Sequence, residues 1–174
     1  MAQQKIMKLN FRQAVLADVD RVWQILQQGI QKRKAEGSQQ WQDGYPNLQV
    51  LLADIAKASG LVMEINGEGI VGYCALMVND EPQYAHIEGQ WLSDGDFVVF
   101  HRLVIAQEHL GKGLAKAFFA EIENFARTRQ IQSVRADTNF DNLEMLQLFA
   151  RCGYSYCGEV WFRGTPRKAF EKLL

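Results

Sequence analysis

His101-Arg102-Leu103-Val104-Ile105-Ala106-Gln107-Glu108-His109-Leu110-Gly111-Lys112-Gly113-Leu114-Ala115 is the stretch from which the rest of the chain is read. It opens as the end of an apolar run, Phe97 to Ile105, whose Val, Ile and Phe residues suit a strand buried on both faces. It closes in a helix, because Leu114, Phe118, Ile122, Phe125 and Ala126 recur on one face. Between them sits a short turn with two glycines around a lysine. Strand, Gly-rich turn and helix N-terminus together make an anion cradle: free N–H groups point outward, the helix dipole is positive there, and missing Cβ atoms let a phosphate approach.

Two common phosphate loops do not fit. A Walker loop needs glycine where Ala106 stands and a hydroxyl where Gly113 stands. The dinucleotide fingerprint fails because Lys116 occupies its third glycine position. The turn resembles instead the acyl-CoA loop of the GNAT superfamily of N-acetyltransferases, Gln/Arg-x-x-Gly-x-Gly/Ala, laid on Leu110-Gly111-Lys112-Gly113-Leu114-Ala115. The glycine at the fourth position and the alanine at the sixth match, and Leu110 replaces the usual Gln or Arg. A second signature follows at the family's spacing: Asn142, Met145, Leu148, Phe149, Gly153 and Tyr154, with Met for Ala, Phe for Tyr and Tyr for Phe. The resemblance runs from Lys8 to Leu174.

Composition sets the outer bounds. The chain has 174 residues, 48% of them hydrophobic, which fits one globular domain over residues 1–174. A net charge of −1 argues against a nucleic-acid surface. Apolar runs are too short to span a membrane, and MAQQKIMKLN lacks a secretory core. Cys74, Cys152 and Cys157 show no pairing or metal-site spacing, so no metal is expected and a cytoplasmic location is. A homodimer stays open.

Local patterns give a first strand over Met7 to Ala14, then a helix capped by Asp18 that runs to about Ala35. A second helix spans roughly Asn47 to Ala58. Leu61 to Asn66 and Gly69 to Val78 form a hairpin across Asn66-Gly67. After a polar loop, Asn79 to Asp96, come the central strand and helix already described. A strand over Ser133 to Asp137, a helix over Asn142 to Arg151, and strands over Tyr154 to Trp161 and Arg167 to Leu173 complete the chain. This α/β order is that of the GNAT fold: a mixed, mostly antiparallel sheet of about seven strands flanked by about four helices.

The resemblance implies acetyl-CoA as cofactor and acetyl transfer to an amine. It implies that the main chain of Leu103, Val104 and Ile105 pairs with the pantetheine arm, and that one of those N–H groups polarises the thioester carbonyl. Leu110, Gly111, Lys112, Gly113, Leu114, Ala115 and Lys116 would hold the diphosphate, with plain solvation the alternative for the two lysines. Asn142 would cap its helix and approach the pantetheine. Phe149 stands where the family's tyrosine would reprotonate the leaving thiolate, so that proton comes from water, from Tyr154, or is not needed. The family's strand glutamate is replaced by Val99. His101, two residues on and on the same strand face, is then a candidate base, with an unperturbed pKa of ~6.5, or else a buried histidine tied to a carbonyl. Glu88 is the rival base. Trp41, Tyr45, Tyr84 and Trp91 are candidate walls for the acceptor, with Asp43, Glu81 and Glu88 to attract a cation; packing under long loops is the plainer reading. The favoured activity is acetyl transfer to a small-molecule primary amine by direct attack. Protein N-terminal or lysine acetylation and a non-catalytic CoA-binding module are the alternatives.

Overall fold

The structure, a computed structural model, describes residues 7–174. Residues 1–6, part of the N-terminal segment read above for a secretory leader, lie outside it. Its elements run β1 (Leu9–Gln13), α1 (Val19–Ala35), α2 (Leu48–Ala56), β2 (Gly60–Ile65), β3 (Gly69–Val78), β4 (Glu88–Gly89), β5 (Val98–Ile105), α3 (Leu114–Thr128), β6 (Ser133–Thr138), α4 (Leu143–Arg151), β7 (Ser155–Phe162) and β8 (Thr165–Leu173). All strands join one sheet in the order β1-β2-β3-β5-β6-β8-β7-β4.

Eight strands replace the expected seven because the loop from Asn79 to Asp96 is not uniform. It holds a 3₁₀ turn, Pro82–His86, and the two-residue β4 on the sheet edge beside β7. A second departure concerns Asp18. It stands at the start of α1 but makes no side-chain cap there. Its carboxylate instead accepts Arg12 Nη1 at 2.7 Å and the Val15 N–H at 2.8 Å. Asn47 and Asn142 do cap, accepting the N–H of Val50 and Met145 at 3.0 and 3.3 Å.

Strand alternation sorts the core into two faces. Phe100, Val134, Ala136 and Phe170 point toward α3 and α4, where Phe118, Phe119, Ile122 and Phe149 meet them. Val62, Tyr73 and Val104 on the opposite face are covered by Val22, Ile25 and Leu26 of α1 and Leu51 of α2. Further along that face, Val99, Val160 and Ala169 are roofed by Tyr84 from the 3₁₀ turn. Burying each large apolar side chain contributes roughly 1.5–3 kcal/mol, so the sheet is held from both sides.

Two irregularities of β5 position the site. Among the described residues its parallel pairing, with β6, covers Val98↔Val134 and Val99↔Arg135 alone. Past Val99 the two strands part, and one edge of β5 is left free. On its other edge, Ala75↔His101 is followed by Tyr73↔Val104, so two residues of β5 oppose one of β3. The bulged residue, Arg102, adopts φ 57°. A bulge bends and twists the strand, here beside the gap between β5 and β6.

Candidate active site

The gap opens into a cleft of about 1010 Å³ that runs from the N-terminus of α3 past the free edge of β5 to His101 and Arg167. Leu103, Val104 and Ile105 line it, as do Leu110, Gly111, Gly113, Leu114, Ala115, Lys116, Asn142 and Phe149. Gly111 and Gly113 take φ 76° and 74°, a region costly to other residues. A Cβ on either would meet no atom within 4 Å, so the space beside the turn is open. The first i→i−4 bond of α3 runs from the Ala117 N–H to the Gly113 carbonyl at 3.2 Å, which leaves the N–H groups of Leu114, Ala115 and Lys116 without helical partners. An acyl-CoA fits these features: main-chain donors for a diphosphate at one end and an unpaired strand edge for an amide-bearing arm. Lys112 is turned aside, its Nζ 3.2 Å from His109 Nδ1. Asn142 is committed as a cap, and its Nδ2 also donates to Thr138 Oγ1 at 3.1 Å and Gln40 Oε1 at 3.2 Å.

At the other end, His101 shares the face of Val99, as strand parity requires. Its Nε2 lies 2.8 Å from Glu81 Oε2, and its Nδ1 lies 3.7 Å from Asp137 Oδ2. Tyr84 and Phe162 meet the ring edge-on at 6.3 and 6.1 Å between centroids. Burial pushes the Glu81 carboxyl up, but the His101 hydrogen bond and charge, the Gln83 N–H and the Arg102 charge outweigh it and hold the group below its ordinary value. Glu81 is therefore an ionised acceptor for the imidazole. Asp137 accepts the Tyr84 hydroxyl at 2.7 Å, and Arg167 Nη1 lies 3.4 Å from its other oxygen. Burial and then the Asp137 charge raise the Tyr84 hydroxyl well above its usual pKa, so it is a donor and not a base.

A second polar group lies beside the first. The bulge sends Arg102 toward α2, where Nη2 and Nε donate to Asp54 at 2.6 and 3.1 Å, and Nη1 donates to the Tyr45 hydroxyl. Tyr73 also donates to Asp54, at 2.6 Å. Tyr45 is in turn covered by Arg163 of the β7–β8 turn, 4.2 Å from the ring centroid, and Arg163 donates to Asp43 at 2.7 Å.

Several sequence expectations are corrected here. Glu88 is exposed on the edge strand β4, opposite Glu159, and does not line the cleft. Tyr154 is buried against Phe119 and Phe149 with its hydroxyl unpartnered among the described residues, and burial raises its pKa; it too is absent from the cleft wall. Tyr84 and Trp91 pack on each other at 4.8 Å between centroids, and the Trp91 indole N–H donates to the Tyr84 carbonyl at 2.9 Å. They hold the loop down and do not line the cleft. Trp41 and Tyr45 do line the cleft. Trp41 lies so close to α1 that a Cβ on Gly29 would approach its ring to 2.9 Å. Asp54, Arg102, Asp137 and Arg167 were not singled out from sequence. The available signal was a charged residue at an inward position of a strand or, for Asp54, among the apolar residues of α2, since such a group needs a buried partner.

Among the described residues no group of three or more His, Cys, Asp or Glu side chains could hold a metal, and no helix is long and apolar enough to cross a membrane.

Fold and cleft together define an acyl-CoA-dependent transferase. The family model for the acetyltransferase (GNAT) family matches residues 23–154, and the chain belongs to that family. An acetyltransferase of the GNAT family from Streptococcus agalactiae superposes with TM-score 0.86 at 30% identity, each chain covered to 95%. The Salmonella typhimurium yncA acetyltransferase, solved with its cofactor acetyl-CoA, shares the fold at TM-score 0.67 and 17% identity, with coverages of 95% and 94%. Streptothricin acetyltransferase of Escherichia coli is 29% identical over 63 residues, which span 36% of each protein. The chain is an acetyltransferase with acetyl-CoA as cosubstrate, as its two signatures imply.

Proposed function

We propose that the chain acetylates the primary amine of a small molecule by direct attack, with His101 as the base. The observation that carries this reading is the imidazole held between Glu81 and Asp137 beside the gap of β5 and β6. Bound acetyl-CoA supplies a thioester, an acyl group already activated toward amines. The N–H groups of Gly111 to Lys116 would hold its diphosphate, and the free edge of Leu103–Ile105 would hold the arm and donate to the carbonyl oxygen. An alkyl amine with a pKa of ~10 arrives protonated at neutral pH. Glu81 and Asp137 attract that ammonium. With Nε2–H donated to Glu81, His101 keeps Nδ1 as the basic nitrogen, and Glu81 stabilises the imidazolium once a proton is taken. No side chain is assigned as acid toward the leaving thiolate: Phe149 has no proton, and the Tyr154 hydroxyl is buried. As the C–N bond forms and the C–S bond breaks, the nitrogen sheds its second proton to the thiolate or to solvent, and a thiol pKa of ~8.5 makes the thiolate a fair leaving group unaided.

The smallness of the acceptor is supported by the contacts around Tyr45. Arg102, Arg163 and Asp43 tie the loop before α2 to the β7–β8 turn, which narrows the acceptor side against a polypeptide. Three free cysteines suit the reducing cytoplasm. The test is release of CoA thiol across a panel of small amines and of peptides bearing free N-termini or lysines. Turnover of small amines supports the reading. Turnover of peptides alone replaces it with protein acetylation, and binding of acetyl-CoA without any turnover leaves a CoA-binding module.

A further inference from the structure

Arg167 is the least satisfied buried cation of the cleft. It is 8% exposed and lines the cleft wall, yet it makes one long hydrogen bond, Nη1 to Asp137 Oδ1 at 3.4 Å. Its Nε is buried with no partner among the described residues. Arg102, of comparable burial, spends its donors on Asp54 and Tyr45. A guanidinium carries five donors and keeps its charge, so burial with one weak bond is unfavourable unless something else fills its fork. Asp137 is already shared: its Oδ2 accepts the Tyr84 hydroxyl at 2.7 Å and faces His101 Nδ1. The ring of Phe162, 4.9 Å from the guanidinium, offers a face but no acceptor.

We infer that Arg167 binds a carboxylate on the acceptor, so that the acceptor is a small zwitterionic amine, an amino acid or a close analogue. This rests on the acetyltransferase reading above and names the substrate class of the same site. Arg167 and His101 flank one carboxylate, Arg167 at Oδ1 and His101 at Oδ2 of Asp137. An amine delivered to His101 and an anion held by Arg167 therefore belong to a molecule with only a few bonds between the two groups. A planar fork of N–H donors matches a carboxylate in two bonds at once, which a point charge cannot do.

The experiment uses the purified chain and three matched series: free L-amino acids, their amides, and the corresponding decarboxylated amines. The best acid should exceed its amide and its amine in kcat/KM by about 10- to 100-fold, the range for hydrogen bonds to a charged group. Arg167→Gln should bring kcat/KM for the acid down to that for the amide, chiefly through the KM of the acid. Arg167→Lys should keep part of the preference. An amide or plain amine turned over as well as the acid by the parent protein overturns the inference and leaves acetyl transfer standing. The same holds if Arg167→Gln retains the full preference. Thiol release from no amine at all, with acetyl-CoA still binding by calorimetry, removes both readings. Should Arg167→Gln not fold, the preference of the parent protein and its change in Arg167→Lys decide the matter.

Discussion

The two ends of the cleft are made of different material. The end at α3 is main chain: the free edge of β5, the N–H groups that start the helix, and glycines at positive φ. The end at His101 is side chain, brought together from a 3₁₀ turn, β5, β6 and β8, with Arg102, Asp54 and Tyr45 beside it. A main-chain site is insensitive to most side-chain changes and fails when its backbone or local charge changes. A side-chain site fails one atom at a time. The same strand serves both because its bulge turns Arg102 out of register with its neighbours.

Gly113→Glu should break the first end most severely. It places a carboxylate where the diphosphate would sit and forces φ 74° on a residue with a side chain. Acetyl-CoA binding by calorimetry should vanish. Gly113→Ala, which costs roughly 1–2 kcal/mol of backbone strain but fills open space, should keep measurable binding. Unchanged affinity in the glutamate variant would refute the cradle. His101→Ala should break the second end, lowering kcat by about 10²- to 10⁴-fold while the KM for acetyl-CoA moves little. A kcat equal to that of the parent would take His101 out of the chemistry.

Arg102→Met probes the support between the two ends. It leaves Asp54 buried without its charge partner and should cost about 3–5 kcal/mol in denaturant unfolding, much of it recovered by adding Asp54→Leu. A loss too small to measure would mean the pair holds nothing together. The smallest effect concerns acid stability. Glu81 is held below its ordinary value of 4.5 by the fold. Its contribution is thus complete above that pH and is lost as pH falls through the lower folded value. Melting temperature should drop less steeply on acidification in Glu81→Gln than in the parent, and Gly113→Ala should keep the slope of the parent. An unchanged slope in Glu81→Gln would place the acid sensitivity elsewhere.

The difference between the ends also explains what the sequence made readable. The β5–turn–α3 unit is local: an apolar strand, two glycines and a helical period lie within thirty residues of one another, and each element carries its own pattern. The remaining helices and long strands were legible for the same reason. The bulge at Arg102 was not, because no glycine or proline marks it; it shows only once β3 lies alongside. The two-residue β4 is too short to carry any alternation. For the acceptor end, parity placed His101 on the face of Val99, but Glu81, Asp137 and Arg167 become its neighbours only through pairing of distant strands. Tyr84 and Trp91 were ambiguous because aromatics that pin a loop and aromatics that wall a ligand have the same composition, and only the structure shows them packed on each other. Glu88 lay in the right loop but on the sheet edge.

A crystal of the protein grown with acetyl-CoA is the sharpest test of where the thioester sits. The diphosphate should lie on the N–H groups of Gly111 to Lys116, the arm along Leu103 to Ile105, and the sulfur facing His101. Acetyl-CoA bound outside the gap between β5 and β6, or a sulfur turned away from His101, would contradict this placement.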